Sequence, residues 1–255
     1  VVAILLGKSP MTLFAGLGAT SAVLMLVFKD TILGLAAGVR LTSNDMLHKG
    51  DWITVKSVDA NGIVEDMSLT TVKVRNFDNT IVTISPATLV NGSFQNWIGM
   101  QKSGGRRVKR IVYFDFRSIR LVDETLKQTL LAKHFATEDS FKLKESLQKA
   151  IEKDIEEGKD IEDLKNPAAL APTNLQLYRR FMEKYLRQRP EVNTELTLMV
   201  RHMEATQCGL PIEFYFFIKD KVWVNYEHIL ADIMEHAYAL ANEFGLKIYE
   251  QYPEQ

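Results

Sequence analysis

Hydrophobic positions along this chain change their spacing twice. From Met11 to Phe28 they run uninterrupted by any charged residue. As a helix rising 1.5 Å per residue, that stretch would be about 27 Å long, close to the roughly 30 Å hydrocarbon layer of a bilayer. The apolar residues are interleaved with small ones, Ala15, Gly16, Gly18, Ala19, Thr20, Ser21 and Ala22. Glycine costs about 1 kcal/mol against alanine inside a helix, and in lipid small residues are what let helix backbones approach closely. The pattern therefore predicts a membrane-spanning helix packed against other helices, rather than a Leu-rich core helix of a soluble domain. Lys29 and Asp30 interrupt the run, and a second Gly/Ala-rich piece continues from Ile32 to Leu41. This predicts a bend at the charged pair and a shorter interfacial helix, Thr31 to Leu47, with Asp30 placed either to cap that helix or to act in conduction. Upstream, VVAILL reads as the end of an earlier apolar helix, with Gly7 to Pro10 as a turn into the next.

From Gly50 to Trp97 the period becomes two. DWITV, GIVEDM, TTVKVRN and TIVTIS are short β-rich runs separated by turns at Asp59-Ala60-Asn61-Gly62 and Phe77-Asp78-Asn79. Val72 and Val74 alternate with Lys73 and Arg75, which gives one apolar and one polar face. The expectation is a small antiparallel sheet or barrel.

Beyond it, Gly104, Gly105 and the basic cluster to Arg110 read as a linker into another module. Val108 to Phe116 alternates as a strand, and Ile119, Val122, Leu126 and Leu130 mark a helix face. Strands follow around Leu196 to Val200 and Ile212 to Ile218, then a helix with Ile229, Ile233, Ala237, Leu240 and Phe244 on one stripe, closed by Gly245. A last strand, Leu246 to Tyr249, gives the β-α-β-β-α-β order of a ferredoxin-like domain. Between its first helix and second strand, about 138–189, lies an acidic helical insertion with Phe141, Leu147, Ile151 and Ile155 as its apolar spine, then a second helix from Thr173 to Leu186.

Several stretches carry a resemblance. The Gly/Ala-rich span ending in Phe28-Lys29-Asp30, then LGLAAG, KGDWI and GIVEDMSLTTVKVRNFDNT, resembles the small-conductance-type mechanosensitive channel family, most closely its bacterial miniconductance branch. The likeness is strong from about Gly16 to Trp97 and by pattern only after Arg106. It implies an α+β membrane protein in three parts: residues 1–48 as the end of the transmembrane region, 49–98 as an Sm-like β-domain, and 99–255 as a ferredoxin-like cytoplasmic domain with the insertion. It implies a homoheptamer in the bacterial inner membrane, multi-pass, with residues from about 42 onward cytoplasmic and membrane lipids as partners.

Anchored on Leu35-Ala36-Ala37-Gly38, the family's two constricting apolar rings fall on Ala22 and Leu26, four residues apart on one helix face. Ala15, Gly18 and Ala19 share or flank that face, Val23 stands beside it, and Lys29 and Asp30 mark the bend. A narrow apolar ring blocks ions by dewetting, and widening it rewets the pore. Ala22 is small where the family carries a large residue, which leaves Leu26 as the principal ring, with Val23 or Met25 contributing if the helix is rotated. Ser85-Pro86 stands where the family has Ile-Pro, so the proline is displaced by one.

Composition narrows the chemistry. A net charge of −1 argues against a nucleic-acid-binding protein, and Arg40 and Lys49 agree with a cytoplasmic side. Cys208 is the one cysteine, so no intrachain disulfide forms. The histidines show no metal-ligand spacing, SGGRR lacks the pattern of a phosphate-binding loop, and GLGATS lies inside the apolar run. No cofactor, metal or catalytic group is expected. The alternative to a channel is a membrane-anchored scaffold that uses the β-domain ring and conducts little.

Overall fold

Helix α1, Pro10–Ser43, is continuous over 34 residues in the computed structural model, which describes residues 10–142 and 171–250 together with 149 and 153. Lys29 and Asp30 lie inside α1 without breaking it. Asp30 is therefore not the cap of a separate helix. Both residues are tolerated in a helix interior, and no proline or glycine adjoins them to open the hydrogen-bond ladder. The helix also stops before Leu47. Asp45 takes a left-handed conformation (φ 57°), Met46 N–H reaches Leu41 O and Asp45 N–H reaches Thr42 O, the pairing of a Schellman end. VVAILL and most of the expected insertion spine, Leu147, Ile151 and Ile155, lie outside the described residues.

The chain divides into two units, Val1–Lys102 and Ser103–Gln255. In the first, β1 (Trp52–Val55), β2 (Ala60–Met67), β3 (Val72–Asn76), β4 (Ile81–Ile84) and the two-residue β5 (Gln95–Asn96) form an antiparallel sheet ordered β4-β3-β2-β1-β5. The period-two pattern holds: Ile53, Val55, Val64, Val72, Val74 and Ile84 point into one core, which Leu41, Leu47 and Leu89 complete. A register shift between Val64 and Asp66 bends β2. The displaced proline begins a short helix, α2 (Pro86–Asn91). Ser85 Oγ accepts from Thr88 N–H, and Pro86 occupies a position whose own N–H has no partner to lose. A further short helix, α3 (Ile98–Lys102), follows β5.

In the second unit the basic cluster is not linker. It belongs to β6 (Arg106–Phe114), which pairs along its whole length with β8 (Leu210–Ile218), while β7 (Met199–His202) flanks β8 on the other side. Val108, Val112 and Phe114 face inward and the charges alternate outward, apart from Arg106 and Arg110, which lie at the helix side near Tyr226. Arg106 stacks over the Tyr226 ring at 4.3 Å. The expected last strand is reduced to one bridge, Phe114 to Ile248, flanked by Asp115 N–H to Lys247 O and Tyr249 N–H to Tyr113 O.

Helix α4 (Glu124–Ala132) is shorter than its apolar stripe. Asp123 Oδ1 accepts from Leu126 N–H and starts it there, so Ile119 and Val122 lie before the helix while still packing on the core. Helices α5 (Asn174–Gln188), capped by Thr173, and α6 (Trp223–Glu243), ended at Gly245 with φ 65°, supply Tyr178, Met182, Ile233 and Ala237 to a core with Phe114, Phe214, Phe216 and Phe244.

Candidate functional site

The residues singled out from the sequence, Ala15, Gly18, Ala19, Ala22, Val23, Leu26, Lys29 and Asp30, all lie on α1 and are all exposed in the single chain. At about 100° per residue, Ala15, Ala19, Ala22 and Leu26 fall within roughly 40° of one line along the helix, with Gly18 and Val23 to either side. Leu26 is 73% exposed and Val23 60%. The remaining large residues of the span are as open, so the helix is apolar all round and almost uncovered by its own chain. Such a surface is stable only against lipid or other protein. The polar hydroxyl inside the span is satisfied locally, since Thr20 Oγ1 donates to Gly16 O at 2.9 Å.

Sequence reasoning did not identify Leu33, which continues the Leu26 line two turns on, nor the joint at the end of the helix. There Ala37, Gly38 and Leu41 are buried, roughly 20°, 120° and 60° around the helix from Leu26. The docked stripe thus begins near the Leu26 line at Ala37, further along the helix, and leaves Leu26 itself exposed. Gly38 abuts the backbone carbonyl of Leu69 in the β2–β3 turn, where a side chain would overlap it. Below the helix end, His48 N–H donates to Asp51 Oδ2 at 3.0 Å, and His48 Nε2 lies 2.9 Å from Asp45 Oδ1. Asn96 Nδ2 donates to the same Asp51 oxygen at 2.8 Å and to Met46 O at 3.3 Å. Asp51 is buried, so its two donors on one oxygen compensate the loss of water. Leu41 and Leu47, on either side of the Schellman end, are both in the sheet's core. The helix is therefore fastened to the β-domain from Ala37 to Asp51. The LAAG segment served in the sequence only as a fixed point of the family resemblance, and the Asp51–Asn96 pair is 45 residues apart and carries no local signal.

A test of this joint is Gly38→Ala. Helix propensity alone would stabilise the protein by about 1 kcal/mol. Overlap with a backbone atom that cannot rotate away costs about 1–3 kcal/mol. The net expected result is destabilisation, read as a lower melting temperature and faster proteolysis between residues 43 and 51. A variant at least as stable as the parent would show that the close approach to Leu69 does not hold.

Among the described residues, no group of three or more His, Cys, Asp or Glu side chains is placed to hold a metal ion.

Residues 30–99 match the family model described as "Mechanosensitive ion channel, beta-domain". The small-conductance mechanosensitive channel MscMJ of Methanocaldococcus jannaschii is 34% identical over 84 residues, 33% of this chain and 23% of the relative. The large-conductance channel MscMJLR of the same organism is 30% identical over 127 residues, 49% of this chain and 35% of the relative. The matched stretches thus span between about a quarter and a third of these relatives. Among solved structures, Arabidopsis thaliana MSL1 superposes with a TM-score of 0.62 at 11% identity, covering 98% of this chain and 69% of that one. Helicobacter pylori MscS in its closed state gives 0.59 at 12% identity, covering 98% and 74%. At such identities these two establish a shared fold. The matched β-domain, the relatives and the fold together support the MscS-like mechanosensitive channel family for this chain.

Proposed function

We propose that this chain supplies the pore helix and cytoplasmic part of a channel opened by membrane tension, which releases ions and small osmolytes during hypoosmotic shock. The carrying observation is the apolar helix α1, uncovered by its own chain and fastened at Ala37 to Asp51 to the β-domain. Several copies of such a helix, drawn together by the small residues Ala15, Gly18 and Ala19, would surround an axis lined by Ala22 and Leu26. Leu26 is then the principal dewetting ring, and Val23 flanks it. Tension favours the state of larger membrane area, in which the helices tilt, with Lys29 and Asp30 at the point of bending, and Leu26 leaves the axis.

In this reading the first unit is an Sm-like domain whose edges meet those of neighbouring copies. The second is a ferredoxin-like domain; its β6-β8-β7 order, with the segment at Ile248 outside β6, is the arrangement that such a domain has. The assembly is a homoheptamer of the miniconductance branch in the bacterial inner membrane, multi-pass, with residues from about 42 onward in the cytoplasm. The test is patch-clamp recording of the full-length protein in a channel-free membrane under graded suction. Pressure-dependent current is expected. Silence from a protein shown to be inserted and oligomeric would shift the weight to a non-conducting scaffold.

A further inference from the structure

Between α4 and α5, where the acidic insertion begins, lies a cavity of about 310 Å³ that the channel reading leaves unused. Its volume is at the lower end of small-molecule pockets. Arg180 and Lys184 enter it from successive turns of α5, and His134 stands opposite, in the left-handed residue (φ 60°) that follows α4. No carboxylate among the described residues lines it. Among the described residues no ion-pair partner is present for Arg180 or Lys184, although other arginines of this unit, including Arg117, Arg120, Arg179, Arg189 and Arg201, face an acid. Like charges four residues apart on a helix repel by a few tenths of a kcal/mol. A pair of this kind inside a concave wall suits an occupant that neutralises it.

The remaining wall favours one kind of anion. Thr137 and Ser140 face the cavity with their hydroxyl oxygens 3.2 Å apart, and Ser140 Oγ already accepts from Thr137 N–H at 3.1 Å. Two hydroxyls that share one hydrogen leave the other O–H available to donate. The floor is the ring of Phe181, held edge-on by Phe135 at 5.3 Å. Guanidinium, ammonium, imidazole and hydroxyl groups on the lining of one cavity offer enough donors for a tetrahedral dianion with three free oxygens. A monocarboxylate has two oxygens in one plane and one charge. An apolar ring beneath them accommodates a short carbon chain.

We propose that this cavity binds a small phosphate monoester, gripped by Arg180 and Lys184 with His134 and the Thr137/Ser140 hydroxyls as further donors. The site joins the root of the insertion at Thr137–Ser140 to the middle of α5. Occupancy would therefore stiffen the point where the insertion leaves the domain, and it can be measured without reference to conduction.

The test is thermal unfolding of the intact protein in detergent, with glycerol 3-phosphate as the probe and sodium chloride matched for ionic strength as the control. The same titration is run on the Arg180→Gln/Lys184→Gln double variant. Expected is a saturable rise of several degrees in the parent that the chloride control lacks. The double variant should lose at least nine-tenths of that rise while melting, without probe, at or above the parent's temperature, because removing the repulsion relieves the helix. A rise of equal size in the variant would show general anion stabilisation and overturn the proposal. So would no rise in the parent, whatever the variant's own melting temperature.

Discussion

Leu26→Ser is expected to open the proposed channel at markedly lower suction than the parent, with currents at rest in membranes that are otherwise silent. Leu26 is the largest side chain on the line it shares with Ala15, Ala19 and Ala22, and nothing in its own chain covers it. In a ring of copies those side chains would face one another across a narrow axis, where water is excluded because the wall offers it no hydrogen bonds. Replacing each isobutyl group by a hydroxymethyl removes about 2 kcal/mol of apolar character per subunit. Summed over several subunits, that is a large fraction of any plausible gating energy. Ala22→Ser makes a smaller change, since one methyl group is exchanged for a hydroxymethyl of nearly the same size, and its threshold should stay close to that of the parent. Ala22→Leu should raise the threshold by adding a second wide ring. The measurement is the ratio of opening pressures in excised patches. If Ala22→Ser shifted the threshold more than Leu26→Ser, the constriction would lie elsewhere on the helix.

The physics of the span was legible before any coordinates because it depends on composition alone. Eighteen residues without a charge say that the helix is long enough for a bilayer, and the interleaved small residues are the basis for expecting close packing with other helices. The β-domain was legible for a related reason: Val72, Lys73, Val74 and Arg75 alternate, and a one-residue slip would turn every valine to solvent. What local pattern does not contain is the way in which a helix ends or continues. Lys29-Asp30 looked like a boundary because charges interrupt hydrophobicity, yet the hydrogen-bond ladder does not depend on hydrophobicity. The true end is set by Asp45, which accepts a left-handed conformation, and by Leu41 and Leu47 burying themselves on either side of it. The basic run after Gly105 misled in the opposite direction. Two glycines followed by Arg106 and Arg107 read as a linker with the strand starting at Val108, but β8 provides a partner from Arg106 onward, and charges on an outer strand discourage pairing with other chains. The cation pair Arg180 and Lys184 needed the fold, because the residues opposite them belong to the turn after α4.

The residue with the largest expected effect on stability was also unreadable in sequence. Asn174 is the first residue of α5, wholly buried, and its side chain ties together three separate segments. Its Nδ2 donates to Ser118 O at 2.9 Å and to Phe244 O at 3.1 Å, while Oδ1 accepts from Arg120 N–H at 3.1 Å and Leu175 N–H at 2.9 Å. One amide therefore satisfies backbone groups from the turn before α4, the end of α6 and the start of α5. Asn174→Leu keeps the branched shape and the number of heavy atoms, is bulkier because two methyl groups replace the amide oxygen and nitrogen, and removes every one of those bonds. Each buried backbone group left unpaired costs about 1–3 kcal/mol, and partial relaxation brings the expected total to about 3–5 kcal/mol. For a unit of this size that corresponds to a fall of roughly 10 °C in its melting transition. Asn174→Asp separates the two halves of the role. It retains the acceptor for Arg120 and Leu175 but turns a carboxylate oxygen toward the carbonyls of Ser118 and Phe244, so it should be no more stable than the leucine variant. Thermal unfolding of the intact protein, followed through the Trp223 environment, reads both variants. A leucine variant that melts within about 2 °C of the parent would mean that the three segments are held by the apolar core around Tyr178 and Phe244, with the amide only occupying the space between them.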